Sequence, residues 1–393
     1  MKTIFYTGVF RFPAGDAAAA RVLNNAKILK RLGYQVIFIS WGGTSREKDK
    51  DSDGNYYYNG FQYLNTNDID RGGTILKKIN NFIFSGSNAL KFINRMKGKA
   101  DVVIAYDTPL FFSGKIVEFC KQNRIPLIYD VTEWSDSNEF PGGKYAPPYW
   151  INTLNMYLNR RRVKNKIVIS LLLKEFYKTS NTIVIPPLVD ADEEKWTNLE
   201  EVLPAFDGIR IVYAGSPGKK DLLELMLQAV VSCLKKGMKL QFVIVGVHKD
   251  EVIHYKNFKD FLSFNNNILF CGRVPQTIVP SYYHSSDFSI IIREPTRKNN
   301  AGFPTKLAES MIAKCPVILN YTSDISKYVY DGYNGIVVKD FSVEELEKKI
   351  CYVAQLGGKN VTILKNNAFR TALDHFNYIK YTVAMENFFE KLK

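Results

Sequence analysis

Short runs of consecutive apolar residues recur along this chain and alternate with stretches of helical period. Residues 2–7 form the first run and predict a buried strand. Asp16 precedes Ala17-Ala18-Ala19-Ala20, where its carboxylate can cap a helix running to Leu32. Gly33 supplies the stop, and Tyr34-Gln35-Val36-Ile37-Phe38-Ile39-Ser40 the next strand. Strand, helix and strand in so short a span is the unit from which parallel sheets are built. Residues 42–60 are polar and charged and read as an exposed loop. The pattern resumes with a strand at 101–106, a helix through Cys120 and a strand at 125–130. Residues 148–165 read as a helix and 166–170 as a short strand.

Pro186-Pro187 interrupts the pattern, and the polar stretch 191–207 reads as a linker. Strands then follow at 209–215, 240–246, 268–270, 288–292, 316–319 and 335–338, with helices between them and a mainly helical tail from about residue 342. The expected fold is therefore α/β, with two Rossmann-like domains: 1–182, 183–365, and a C-terminal helix over 366–393 packing back toward the first.

Composition refines this picture in two respects. The net charge of +14 favours an anionic partner such as a nucleotide, a nucleic acid or an acidic membrane surface. The five cysteines are scattered, form no C-x-x-C, and suggest neither a disulfide framework nor a metal site. Together with a start that lacks the form of a signal peptide and the lack of an apolar run of about 18 residues, this leads us to expect a cytoplasmic protein. Asp51-Ser52-Asp53, a D-x-D, lies in the charged loop and reads as solvated. All four histidines lie beyond residue 240, which excludes a histidine base in the first domain.

The most informative stretch runs from Arg293 to Leu319. A polar loop carrying Glu294 and Arg297 leads from a strand to a helix expected to start at Pro304. Ligands of open parallel sheets bind beyond the carboxyl ends of the strands, and a helix N-terminus offers free N–H groups to phosphate. Gly302 permits close backbone approach, the backbone of Phe303 and Pro304 continues it, and Arg297 and Lys306 add charge. Glu309, one turn in, is placed to accept hydrogen bonds from ribose hydroxyls.

The run Gly302-Phe303-Pro304-Thr305-Lys306-Leu307-Ala308-Glu309 resembles the nucleotide-sugar site of glycosyltransferase family 4, retaining enzymes of the GT-B fold. The resemblance implies two facing Rossmann-like domains with a cleft between them. It gives Glu309 the ribose. The family's first glutamate falls at Ala301 here, which leaves Glu294 as the nearby substitute. The turn Gly215-Ser216-Pro217-Gly218-Lys219-Lys220 resembles the family's diphosphate-gripping turn, with Ser216 near the usual arginine and Lys219 and Lys220 as the cations that assist the leaving phosphate. Arg273 falls in the segment that resembles the border of the base. In the first half, Gly15 and Arg21 occupy the loop and helix that face the donor in the family, and Asp130 and Glu133 follow a strand end where a carboxylate can orient or deprotonate an acceptor hydroxyl. Trp134 is a candidate to stack on a sugar or isoprenoid, and Asp107 reads first as a helix cap.

The activity so implied is metal-independent hexosyl transfer, with retention, from a nucleotide-diphosphate sugar to a saccharide or polyprenyl-linked acceptor in surface polysaccharide biosynthesis, with no cofactor and no nucleic acid. Peripheral attachment at the inner face of an anionic membrane is expected from two stretches. One is a basic amphipathic run over 75–96 with Ile75, Leu76, Ile79, Phe82 and Ile83 at helical spacing; the other is the cluster Arg160-Arg161-Arg162 with Lys164 and Lys166. Three rivals remain open. A nucleotide-sugar epimerase would need no acceptor. A dinucleotide oxidoreductase would need a G-x-G-x-x-G, which neither Gly8 nor Gly215 begins. A nucleic-acid binder would need basic and aromatic residues along one face.

Overall fold

The computed structural model describes residues 1–13, 15–68, 84–178, 181–218, 220–256 and 258–392. The chain divides into two compact units, Met1–Leu188 with Tyr378–Lys393, and Val189–Asn377. The breaks thus fall after 188 and 377, rather than after the 182 and 365 read from the sequence.

The first unit holds an eight-stranded sheet in the order β3-β4-β2-β1-β5-β6-β7-β8. Its strands are β1 Thr3–Arg11, β2 Gln35–Gly42, β3 Tyr56–Tyr58, β4 Phe61–Asn65, β5 Val102–Tyr106, β6 Leu127–Val131, β7 Asn165–Val168 and β8 Asn181–Val184. All neighbours are parallel except the β3–β4 hairpin, so the stretch read as loop contributes an edge strand. The helix Ala17–Arg31 is capped as expected, Asp16 Oδ1 accepting from Ala19 N at 2.8 Å. Val22, Ala26, Ile28 and Leu29 pack with Ile4, Tyr6 and Phe38 of the sheet. The C-terminal helix Thr382–Glu390 belongs to this core through Met385, Phe388 and Phe389.

The second unit holds six parallel strands in the order β11-β10-β9-β12-β13-β14. These are β9 Ile209–Ala214, β10 Leu240–Val245, β11 Ile268–Gly272, β12 Phe288–Ile291, β13 Val317–Asn320 and β14 Gly335–Val338. The inner strands β9 and β10 are buried along their whole length, as near-continuous apolar strands of a parallel sheet should be. The chain builds outward from β9 through β10 to β11, then returns to lay β12 on the other side of β9. The order therefore reverses between β9 and β12, a switch point of the kind beyond whose carboxyl ends open parallel sheets bind ligands.

Candidate functional site

The turn after β9 and the loop after β12 flank this reversal and are tied together by a buried carboxylate. Asp221, at 2% side-chain exposure, accepts from Tyr213 Oη at 2.8 Å and from Arg293 Nε at 2.6 Å, and forms an ion pair with Lys306 Nζ. Burial pushes the Asp221 carboxyl up, but Lys306 and Arg293 outweigh it and hold the group below the usual carboxylate range. Two cations share one anion, so the cluster keeps an excess positive charge. Asn320, ending β13, clamps the loop by accepting from Arg293 N at 2.9 Å and donating to Arg293 O at 2.7 Å.

Gly215 roofs this cluster. Its φ is +134°, and a Cβ there would lie 2.5 Å from Lys306 Cε and 2.7 Å from Nζ. Gly246, at φ +95°, ends β10 against the Gly215 backbone, where a Cβ would come within 3.0 Å. Glycine at both strand ends lets the Lys306 side chain lie against the Gly215 backbone and the Gly215 backbone against Gly246.

The helix beyond the loop spans Thr305–Ile312, with Pro304 as N-cap and no side chain capping its first N–H groups. The stretch expected as plain loop contains a short helix of its own, Arg297–Ala301, capped by Thr296 Oγ1 accepting from Asn299 N at 3.3 Å. Glu309 is half-buried one turn into the longer helix. Among the described residues its carboxylate meets neither a hydrogen-bond donor nor an ion-pair partner. Burial pushes it above the ordinary range, against the opposing charges of Lys195 and Lys306. The carboxylate is half-buried, so water serves it in the free protein and the hydroxyls of a ligand can take the place of that water.

The remaining expected residues fall into place unevenly. Lys219 lies outside the described residues, while Lys220 is half-buried and Ser216 exposed on the same turn. Arg273 is exposed and donates to Glu251 Oε2 at 3.2 Å. Glu294 is exposed, and its backbone carbonyl accepts from Asn299 Nδ2 at 2.9 Å. Arg297 is half-buried on the short helix. Gly302 has φ −81° and ψ −175°, extended backbone that any residue adopts. The Phe303 ring is core, packed edge-on against Tyr328 at 5.7 Å and Phe376 at 6.1 Å, which leaves only its backbone for a ligand. Asp221 and Arg293 were not singled out by sequence. The available signal was an acid following two lysines in a strand-end turn.

In the first unit two expectations are corrected. Arg21 and Asp130, read as facing a ligand, are 5% and 0% exposed and bind each other. Arg21 donates from Nε at 3.0 Å and from NH2 at 2.8 Å to Asp130 Oδ1, and from NH1 to Ile185 O at 2.9 Å. Tyr6 and Asn25 also donate to Asp130 Oδ2. A carboxylate with that many donors and no solvent is a structural pivot of β6, β1 and the 17–31 helix. Asp107 does not cap a helix. It accepts from Thr132 N at 3.2 Å and pairs with Arg160 NH1 at 3.2 Å, and burial raises its carboxyl to about 6 against those partners. Gly15 is exposed beside Arg11, and Glu133 is exposed. Trp134 packs on Phe176, ring centres 4.2 Å apart. Of the expected basic cluster, Arg160 and Lys166 are buried, and residues 75–83 lie outside the described ones. Among the described residues no helix is long and apolar enough to cross a membrane, and no three acidic, histidine or cysteine side chains are grouped to hold a metal.

Comparison with known proteins agrees with this architecture. Residues 208–355, the stretch that holds all six strands of the second sheet, match the family model of the glycosyl transferases group 1. An uncharacterized glycosyltransferase of Methanocaldococcus jannaschii is 25% identical over 185 residues; the match spans 47% of this chain and 45% of that protein, less than half its length. The sucrose-phosphate synthase of Thermosynechococcus elongatus superposes with a TM-score of 0.71 at 13% identity, covering 100% of this chain and 99% of its own. Anabaena HepE, solved with UDP and glucose, superposes with a TM-score of 0.70 at 15% identity over 100% of both chains. The expected α/β fold of GT-B type is thus borne out, and residues 208–355 are similar to the glycosyl transferases group 1.

Proposed function

We propose that the protein is a retaining glycosyltransferase that moves a hexosyl group from a nucleotide-diphosphate sugar to a saccharide or polyprenyl-linked acceptor in surface polysaccharide biosynthesis, without a metal. The observation that carries the donor half is the half-buried Glu309 carboxylate, which meets no protein donor among the described residues, one turn from an uncapped helix N-terminus. Ribose hydroxyls satisfy such a carboxylate, and helix N–H groups suit the diphosphate. The excess charge of the Lys306–Arg293–Asp221 cluster lies at the same strand ends. Negative charge grows on the leaving diphosphate as its bond to carbon breaks, and positive groups fixed in advance stabilise that state more than the ground state. One contact of this kind typically lowers the barrier by about 2.7–4 kcal/mol. Lys220, with Lys219 beside it in sequence, is the remaining cation of the turn. The complex of HepE with UDP makes uridine diphosphate the first nucleotide to test.

The test is a thermal-shift and calorimetric screen of uridine, guanosine and adenosine diphosphates and their sugars, each with and without chelator. One nucleotide should raise the melting temperature, and chelator should leave that rise unchanged. Loss of the rise in chelator would remove metal independence; no rise with any nucleotide would remove the donor reading. Conversion of the free nucleotide sugar without acceptor would point to an epimerase.

A further inference from the structure

The helix Pro147–Asn155 and the five-residue turn that continues it to Arg160 carry their polar face inward. Asn155 Nδ2 donates to Thr108 O at 2.7 Å, Asn159 Nδ2 to Leu110 O at 2.9 Å, and Arg160 to Thr108 O at 3.1 Å as well as to Asp107. The outward face is apolar. Trp150, Leu154, Tyr157 and Leu158 follow one another at helical spacing, each between 43% and 54% exposed, and Tyr145 just before them is 94% exposed. A helix on the surface of a soluble protein normally shows the reverse arrangement. Rotating this one to hide the stripe would strip three backbone and carboxylate acceptors of their donors, so the exposure is fixed by the inward bonds.

Along the chain the stripe itself is flanked by charge of one sign, with Glu175 beyond it next to Phe176, on which Tyr157 packs. No Asp or Glu occurs between Glu139 and Glu175, whereas Lys144, Arg161, Arg162, Lys164 and Lys174 are exposed there. Rings with polar tips, aliphatic side chains and cations in one strip match a bilayer surface, where the acyl boundary takes the first two and lipid phosphate the third. Nucleic acid would match the rings and cations but gives Leu154 and Leu158 nothing to bury against.

We propose that this face docks on an anionic lipid surface, with Trp150, Leu154 and Leu158 at the headgroup–acyl boundary and Lys144, Arg161 and Arg162 over the phosphates. This surface shares Arg161 and Arg162 with the second run read from the sequence and adds the apolar stripe that precedes them, and it stands independently of the donor reading.

The full-length protein should sediment with phosphatidylcholine vesicles that contain phosphatidylglycerol and only weakly with phosphatidylcholine alone, its tryptophan emission shifting to the blue on binding. Trp150→Ala with Leu154→Ser should weaken partitioning by roughly tenfold or more, because less apolar surface is buried. Arg161→Ser with Arg162→Ser should erase the preference for anionic vesicles. All four side chains are exposed, and circular dichroism checks that both variants fold. Wild-type protein that stays unbound with anionic vesicles would overturn the proposal, as would an aliphatic variant that partitions like wild type. So would self-association that the same variant abolishes while vesicles are ignored, since the face would then be an interface between copies. Nucleotide binding by both variants, measured alongside, should equal that of wild type because the donor residues lie in the other unit; this keeps failure here distinct from failure of the donor reading.

Discussion

Asp130 is fully buried and Glu309 half-buried, and they ask for opposite experiments. Asp130 has its donors inside the protein, and removing the carboxylate strands Arg21 in a site where it is 5% exposed. Breaking one side of a buried pair costs about 3–5 kcal/mol. Asp130→Ala should therefore lower unfolding stability by about that amount in urea titration while nucleotide affinity stays the same; a stable variant with lost activity would restore the catalytic reading of Asp130. Glu309 meets no protein donor among the described residues. Its carboxyl titrates above the unfolded value of 4.5, so the folded state holds the proton more tightly. The sign follows from linkage: stability is highest where the group is protonated and falls as pH rises from 4.5 through the folded value. At neutral pH the charged form is thus a burden that folding carries. Glu309→Gln should raise the melting temperature of the ligand-free protein near pH 7 and flatten its rise toward acid pH. The same change should weaken nucleotide binding by about 1.5–3 kcal/mol, the worth of hydrogen bonds to a charged group. Loss of both stability and binding would mean that Glu309 is a structural residue.

Elements were legible in the sequence wherever burial alone decides them. The runs that became β1, β2, β5, β6, β9, β10 and β12 are apolar because both sheet faces are covered, and no other arrangement hides so many branched side chains. What sequence concealed was decided by partners distant in the chain. β3 pairs Tyr56–Tyr58 with Tyr63–Phe61 at the sheet edge, where polar neighbours disguise a strand as loop. The 147–155 helix was found, but its orientation was not, because apolar period predicts inward packing and here Asn155 and Arg160 reach the 107–110 segment instead. At the candidate site the uncapped helix start and Glu309 were legible from Pro304 and spacing. The pairing of Asp221 with Lys306 and Arg293 was not, since it joins residues 72 and 85 positions apart. That pairing makes the element arrangement testable through Gly215. A methyl group at φ +134° is strained and would collide with Lys306. Gly215→Ala should cost about 1–3 kcal/mol of stability and displace the ammonium from Asp221, lowering nucleotide affinity. Substituting Gly218, where a Cβ meets nothing within 4 Å, should leave affinity closer to wild type despite its own φ of +52°; equal losses at both positions would remove the Lys306 contact as the cause.

The chain crosses from one unit to the other after Leu188 and crosses back after Asn377, so its last residues complete the unit that its first residues begin. The returning helix is integral to that core. Met385, Phe388 and Phe389 are at most 7% exposed, Phe389 lies 5.0 Å from the Tyr34 ring, and Phe388 O accepts from Asn181 Nδ2 at 3.1 Å on β8. Burying each of three such side chains contributes about 1.5–3 kcal/mol. Their sum approaches the whole stability of a typical domain, about 5–15 kcal/mol. A chain ending at Asn377 should consequently lose the cooperative transition of the first unit, seen as one missing step in differential scanning calorimetry. The sheet of the second unit, its core around Ile211, Tyr213, Phe242 and Ile290, and the Asp221 cluster all lie between Val189 and Asn377. A 189–377 fragment should melt as a single transition and keep most of the full chain's nucleotide affinity, while the 1–377 chain binds nucleotide with its first unit unfolded. A fragment that folds but does not bind would show that donor recognition requires groups from the first unit and would move the affinity-determining contacts away from Glu309.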